Sequence, residues 1–277
     1  MAIIEFVNVN KAYVENEAVI KDLNLSVNEG EFLVLLGESG CGKTTLLKMI
    51  NRLVSFDTGY IYFKGKALSE WDIVSLRRNI GYVIQQIGLF PHMSIERNIS
   101  YVLDIMNQDK KKSQARAAEL LHLVGLESSY LSKYPRELSG GQKQRVGVAR
   151  ALAADPPIIL MDEPFGAVDE VTRSQLQQEM LNIHKELKKT ILFVTHDIHE
   201  AMTLASKIVL INQGKIEQEA SPVDLVLSPA NDFVRSFLGS KGFTSILDSQ
   251  IVNDLYQRLL KKEITLEQVY DMLKDKK

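Results

Sequence analysis

The sequence predicts an α/β fold in four parts: a core of buried strands and helices, an antiparallel β subdomain beside it, a helical insert, and a short C-terminal helical extension. Three observations carry this. Residues 32–36, 158–161 and 190–195 are short, mainly apolar runs, the pattern of strands buried on both faces. Residues 3–9, 23–27 and 58–65 read as strands bounded by turn residues, which lays an antiparallel sheet beside the core. Residues 94–123 are mostly helical in pattern, clearest over 115–121, and read as an insert.

Taken in order, the strand at 3–9 leads to a loop holding Tyr13, and the alternating strand 23–27 ends in the turn Asn28-Glu29-Gly30. The run Phe32-Leu33-Val34-Leu35-Leu36 then meets Gly37-Glu38-Ser39-Gly40-Cys41-Gly42-Lys43-Thr44, followed from Thr45 to Leu53 by apolar residues at helical spacing. Strand, glycine-rich turn and helix form the context of the phosphate-binding pattern G-x-x-x-x-G-K-[ST]. Glycines let backbone N–H groups close around phosphate oxygens, and the helix N-terminus adds partial positive charge. Lys43 can reach β- and γ-phosphates, and the Thr44 hydroxyl can ligate Mg²⁺. An aromatic at Tyr13 could stack on adenine, although a lone Tyr is more often packing.

The strand at 81–84 ends at Gln85-Gln86, and Gly88 with Phe90-Pro91-His92 breaks regular structure. Lys110-Lys111-Lys112 reads as a solvated loop or helix start. Leu138-Ser139-Gly140-Gly141-Gln142 precedes a helix expected over 143–153 and forms a second potential anion site. The strand at 158–161 ends in Asp162-Glu163, where open α/β sheets bind ligands. Asp162 fits a Mg²⁺-water ligand, and Glu163 fits the group that orients an attacking water. A helix is expected over 171–187, then the strand 190–195 with His196 at its end, a candidate because it shares the edge with two acids. Asn212-Gln213-Gly214 marks a hairpin, residues 245–262 read as a helix, and Thr265 with Gln268 forms a capping box opening another to about Lys274.

Composition limits the functional classes. With 277 residues, 45% hydrophobic, the chain can bury a large core, and its net charge of -2 gives no global basic field for nucleic acid. Cys41, the single cysteine, excludes an intrachain disulfide and fits a reducing compartment. The N-terminus lacks a signal-peptide pattern, and no apolar run reaches the 18 or so residues of a membrane span, so any membrane role is expected to come through a partner.

With these motifs in this order, residues 1–240 resemble an ABC transporter ATPase subunit. The resemblance implies a P-loop NTPase (RecA-like) core, with the helical insert at about 88–152 and residues 241–277 as the extension. It makes residues 37–44 the Walker A loop, Gln85 the Q-loop glutamine that touches Mg²⁺, and residues 138–142 the signature. Asp162 and Glu163 become the Walker B aspartate and catalytic glutamate, His196 the switch histidine, and Tyr13 the adenine-stacking residue. Val168-Asp169 falls in the D-loop, with Val168 where the family usually has leucine. The family mechanism implies a homodimer, head to tail, in which Ser139 and Gly141 of one subunit contact the γ-phosphate held by the other. Further implied are integral-membrane permease subunits, an indirect substrate-binding protein or domain, no nucleic acid, and a peripheral place on the cytoplasmic face of the cell membrane.

A narrower resemblance lies in Met49-Ile50-Asn51-Arg52-Leu53, in residues 84–93 and in residues 229–234. These look like ATPase subunits of importers for glycine betaine, choline or carnitine. Many of that group carry tandem cystathionine-β-synthase-type domains, for which residues 241–277 offer no room. Two alternatives stay open: import of another small cationic or zwitterionic solute, and a soluble ABC-type ATPase acting on nucleic acid or ribosomes. An exporter ATPase is disfavoured by the narrower resemblance alone.

Overall fold

The computed structural model describes residues 1–14, 17–166, 168–246, 257–261, 263–265 and 268. Strands β1 (Ala2–Val14) and β2 (Glu17–Asn28) form an antiparallel hairpin, followed by β3 (Phe32–Leu36) and helix α1 (Lys43–Ile50). Strands β4 (Thr58–Phe63) and β5 (Lys66–Ala67) complete a four-stranded antiparallel sheet of order β2-β1-β4-β5. Helix α2 (Ile73–Arg78) and strand β6 (Ile80–Val83) precede three helices, α3 (Ile95–Ile105), α4 (Lys110–Leu123) and α5 (Gly140–Leu152). Then come β7 (Ile158–Asp162), α6 (Glu170–Leu187), β8 (Thr190–Thr195), α7 (Ile198–Leu204), β9 (Lys207–Asn212), β10 (Lys215–Ala220), α8 (Pro222–Leu227) and α9 (Asp232–Ile246).

The second sheet runs β10-β9-β3-β8-β7-β6, parallel except for the β9–β10 hairpin. Its central strands are apolar in their interiors because both faces are covered, with polar residues only at strand ends. Val34, Leu36, Ile159, Met161, Ile191 and Phe193 pack with Ile95, Val146, Leu176 and Met180 of the helical side. The alternate residues Leu33, Leu35, Ile158, Leu160, Leu192 and Val194 pack with Leu46, Leu47 and Ile50 of α1 and with Ile4, Phe6, Ile61 and Phe63 of the antiparallel sheet. Each such side chain contributes roughly 1.5–3 kcal/mol when fully buried, so the sheet holds both subdomains.

Three expectations change and one is refined. Tyr13 lies within β1, not in a loop, because the ladder continues through Ala12↔Ala18 and Val14↔Glu17. The stretch at 94–123 is helical as expected, in two helices, and the Lys110 run is a helix start, one of its two expected readings: Asp109 caps α4, its Oδ1 accepting from the Lys112 amide at 3.1 Å. Helix α5 begins at Gly140 and not at Lys143, since Ser139 and Gln142 form a capping box that admits the two glycines to the first turn. No helix begins at Ser245: α9 already runs from Asp232 through a left-handed Gly239 (φ 47°) to Ile246. Residues 257–260 are helical, while 247–256 lie outside the described residues. The Thr265–Gln268 reciprocal bonds form at 2.9 and 3.3 Å, and the helix expected beyond them lies outside the described residues. Among the described residues no helix is long and apolar enough to cross a membrane.

One buried amide fixes the turn before α3. Asn98, fully buried, donates from Nδ2 to the carbonyls of Phe90, Met93 and Ser94 at 3.0–3.1 Å and accepts the Phe90 amide at 2.7 Å. Asn98→Ala strands these groups and is expected to lower unfolding free energy by about 2–3 kcal/mol, measured by urea denaturation.

Candidate nucleotide-binding site

In the parallel ladder Leu36 pairs with Thr195 and Asp162 with Val194, so the segments after β3, β7 and β8 leave the sheet at one edge. The glycine-rich loop after β3 lies tight against β2. At Gly42 (φ 110°) a Cβ would stand 2.5 Å from Ile20 Cδ1 and 2.9 Å from the Val19 carbonyl oxygen, so no side chain fits. Gly42 caps α1 without a side-chain hydrogen bond, which leaves first-turn N–H groups available to an anion. The Lys43 ammonium is drawn into the loop, donating to the carbonyls of Gly37 at 2.8 Å and Glu38 at 2.7 Å. A cavity of about 460 Å³ opens here, lined by Tyr13, Val19, Ser39, Gly40, Gly42, Lys43, Thr44, Thr45, Gln85 and Glu163. Tyr13 is mostly exposed at its mouth, with its hydroxyl 3.3 Å from Thr45 Oγ1. Val19 of β2 is a lining residue that the sequence did not single out, since a lone apolar residue carries no ligand signal.

Thr44 Oγ1 donates to Asp162 Oδ1 at 2.7 Å. Burial pushes the Asp162 carboxyl above its ordinary value; the Thr44 bond and the charges of Lys48 and Lys43 oppose this, and Glu163 adds to it. Behind it, burial and then the Asp162 charge push the Tyr82 hydroxyl up to about 12. Glu163 sits in the left-handed region (φ 42°), a costly conformation for a residue other than glycine, with its amide on the Val194 carbonyl at 3.0 Å. Its carboxylate lies between two partners: Gln85 Nε2 donates to Oε2 at 3.2 Å, and His196 Nδ1 is 3.3 Å from Oε1.

His196 is held by neighbours that sequence reading missed. Thr195 Oγ1 donates to buried Glu200 at 2.6 Å and accepts the Asp197 amide at 3.0 Å, and Asp197 caps α7. Arg173 of α6 reaches Asp197 at 3.4 Å and Glu200 at 3.7 Å, and donates to the Val168 carbonyl at 3.2 Å. Burial pushes the Glu200 carboxyl up. Asp197 and Glu200 stand at capping-box spacing, a legible signal; Arg173 has no local one.

The stretch 138–142 lies elsewhere. Ser139 Oγ accepts the Gln142 amide at 3.3 Å, and Gln142 Oε1 accepts the Ser139 amide at 2.9 Å, so Gly140 and Gly141 form the first turn of α5. A Cβ on Gly141 would stand 2.5 Å from Thr172 Cγ2. Ser139, Gly141 and Gln142 line a separate cavity of about 330 Å³ with Tyr130, Arg145 and Thr172, sharing no lining residue with the first. Within one chain the structure does not bring these residues to the phosphate loop.

Residues 20–166, more than half of the chain, match the family model described as "ABC transporter". The chain belongs to the ABC transporter family. It is an ATPase cassette of that family, and the individual comparisons agree. It is 46% identical over 273 residues to the glycine betaine/carnitine/choline transport ATP-binding protein OpuCA of Bacillus subtilis, covering 97% of this chain and 72% of the relative. It is 52% identical over 241 residues to the osmoprotectant import ATP-binding protein OsmV of Salmonella typhimurium, covering 85% of this chain and 63% of the relative. The dimeric post-hydrolysis structure of the ATP-binding cassette MJ0796, bound to ADP and Pi, superposes with a TM-score of 0.70 at 34% identity, covering 79% of this cassette and 98% of that chain.

The raised Asp162 carboxyl has a stability consequence. Above the ordinary value of 3.8 the unfolded chain ionises first, so the fold carries a growing desolvation penalty as pH rises, complete once the buried group has ionised. Asp162→Asn keeps an acceptor for Thr44 and removes that penalty. It is expected to raise the thermal midpoint of the cassette by ~2–4 °C at pH 7. The gain should shrink as pH falls toward 3.8 in a calorimetric pH series.

Proposed function

We propose that this protein is the ATP-hydrolysing subunit of an importer, working as a head-to-tail homodimer on the cytoplasmic face of the membrane, with separate permease subunits and indirectly a substrate-binding protein. One observation carries the catalytic assignment: a carboxylate, Glu163, held between Gln85 and His196 at the mouth of the Lys43 loop. The phosphates of ATP would lie on the amides of residues 37–45 and on Lys43, with adenine against Tyr13. Thr44 hydroxyl, Asp162 carboxylate and Gln85 amide oxygen are hard oxygen donors, a set that fits Mg²⁺, which retains water and phosphate ligands. When bound, Mg²⁺ would neutralise charge on the β- and γ-phosphates.

In this reading Glu163 orients water toward the γ-phosphate, and His196, placed by Thr195, Asp197 and Glu200, holds the Glu163 carboxylate and faces the phosphate. Ser139 and Gly141 of a second subunit would supply the remaining contacts, because the capping box leaves the Gly140 and Gly141 amides to an anion and these residues lie outside the first cavity. The permease would meet the apolar surface of Ile87, Leu89, Phe90 and Met93. The cargo reading, a small quaternary-ammonium solute such as glycine betaine, choline or carnitine, is supported by the names of the relatives and by the resemblance at residues 84–93.

Glu163→Gln is expected to bind MgATP, to lose ~10²–10⁴-fold in turnover, and to accumulate as a closed dimer in size-exclusion chromatography. Near-normal turnover beside its permease would overturn the assignment. Deletion of the gene in its host should abolish uptake of at least one of labelled glycine betaine, choline and carnitine at high osmolarity. Unchanged uptake of all three, in a strain without redundant importers, would remove the cargo.

A further inference from the structure

We propose that Arg150 is the positioning residue that fastens the permease-facing segment to helix α5, so that a push on residues 87–90 is delivered to Ser139 and Gly141 at the far end of that helix. This rests on the importer reading above. Arg150 stands in the last turn of α5. Its Nη1 donates to the Gly88 carbonyl at 2.6 Å and its Nη2 to the Ile87 carbonyl at 2.8 Å. The guanidinium also lies 5.9 Å from the Phe90 ring centroid.

One rigid fork therefore grips two successive carbonyls and a side chain of the same segment. Charge-assisted bonds of this kind are about twice as strong as neutral ones, and a lysine ammonium, a single point charge, cannot reproduce the fork. The segment is shaped for the grip. Gly88 adopts φ 59°, where an L side chain is strained. Gly147, one turn before Arg150, leaves room for Ile87; a Cβ there would stand 3.3 Å from Ile87 Cγ2. Asn98 of α3 holds the other end of the segment through the Phe90, Met93 and Ser94 carbonyls.

Residues 87–94 are thus tied to the helical side, while Gln85, two residues upstream, is tied to Glu163. The boundary between the catalytic sheet and the helical side falls between Gln85 and Ile87. Helix α5 has 13 residues, about 20 Å of stiff rod at 1.5 Å per residue. Arg150 joins one end of this rod to the permease-facing surface; Ser139 caps the other.

The test uses the full chain, free and reconstituted with its permease in proteoliposomes, comparing wild type, Arg150→Gln and Arg150→Lys. Basal ATPase activity and ATP binding of the free protein should be retained, while stimulation by the permease and solute transport should fall at least about fivefold. Hydrogen exchange on the free protein should speed up over residues 86–94 and leave residues 143–147 protected. Stimulation and transport at wild-type level in a folded variant would overturn the proposal. So would a parallel fall of basal and stimulated rates, or faster exchange along the whole of α5, since either marks a purely structural role. If Arg150→Gln does not fold, Arg150→Lys, which keeps the charge over Phe90, is read by the same criteria. A wild-type complex without permease stimulation would remove the importer reading itself, an outcome separate from failure of Arg150 alone.

Discussion

The register of three parallel strands governs this molecule. Leu36 lies opposite Thr195, and Val194 opposite Asp162, so the residues that follow each strand emerge side by side. A slip of one residue would send every side chain of a strand to the wrong face, and both faces are buried here. The two hydrophobic clusters therefore set the distances at the edge: Leu33 and Leu35 face one, Val34 and Leu36 the other. The 2.7 Å bond from Thr44 to Asp162 and the position of His196 beside Glu163 are consequences of that packing.

The same packing makes the edge electrostatically costly. Asp162 and Glu200 are carboxyls raised by burial. Neither is left without a donor: Thr44 serves the first and Thr195 the second, and both hydroxyls belong to segments at the same sheet edge. Arg173 adds positive charge beside Asp197 and Glu200 and touches the Val168 carbonyl, so the turn before α6 and the turn before α7 share one cation. A buried carboxyl that keeps a hydrogen bond but lacks a full counter-charge is poised to gain from a cation, which is the physical sense in which the edge suits Mg²⁺.

Much of the fold was legible because the strongest signals are local. Continuous apolar runs gave β3, β7 and β8, and a glycine-rich turn between strand and helix gave the loop. Errors arose where a local rule met a longer-range one. Tyr13 falls in a loop when the strand is read only over 3–9, but its ladder with β2 extends to Val14. The start of α5 looked disfavoured by two adjacent glycines, which cost helix propensity, yet the Ser139–Gln142 cap and the close approach of Thr172 to Gly141 favour it. Asn98, Arg150 and Arg173 were invisible in the sequence. Their partners are carbonyls or carboxylates placed by the tertiary fold, and a carbonyl carries no residue signature.

The separation of the starts of α1 and α5 bears on the proposed dimer. Helix α1 offers its amides to the first cavity, and α5 offers its own to a cavity with no residue in common. Closing that gap inside one chain would mean unpacking α5 from β6, α3 and α6, whose contacts include the buried Val146, Val148 and Leu152. Burial on that scale outweighs any single phosphate contact. In the proposed homodimer the core stays intact and a second copy comes across the edge, so that α5 of one subunit would meet the phosphate held by α1 of the other. On that reading the dimer interface is stabilised by the γ-phosphate and weakened by its loss. The ligand then favours one state over the other by its differential contacts, as a switch requires.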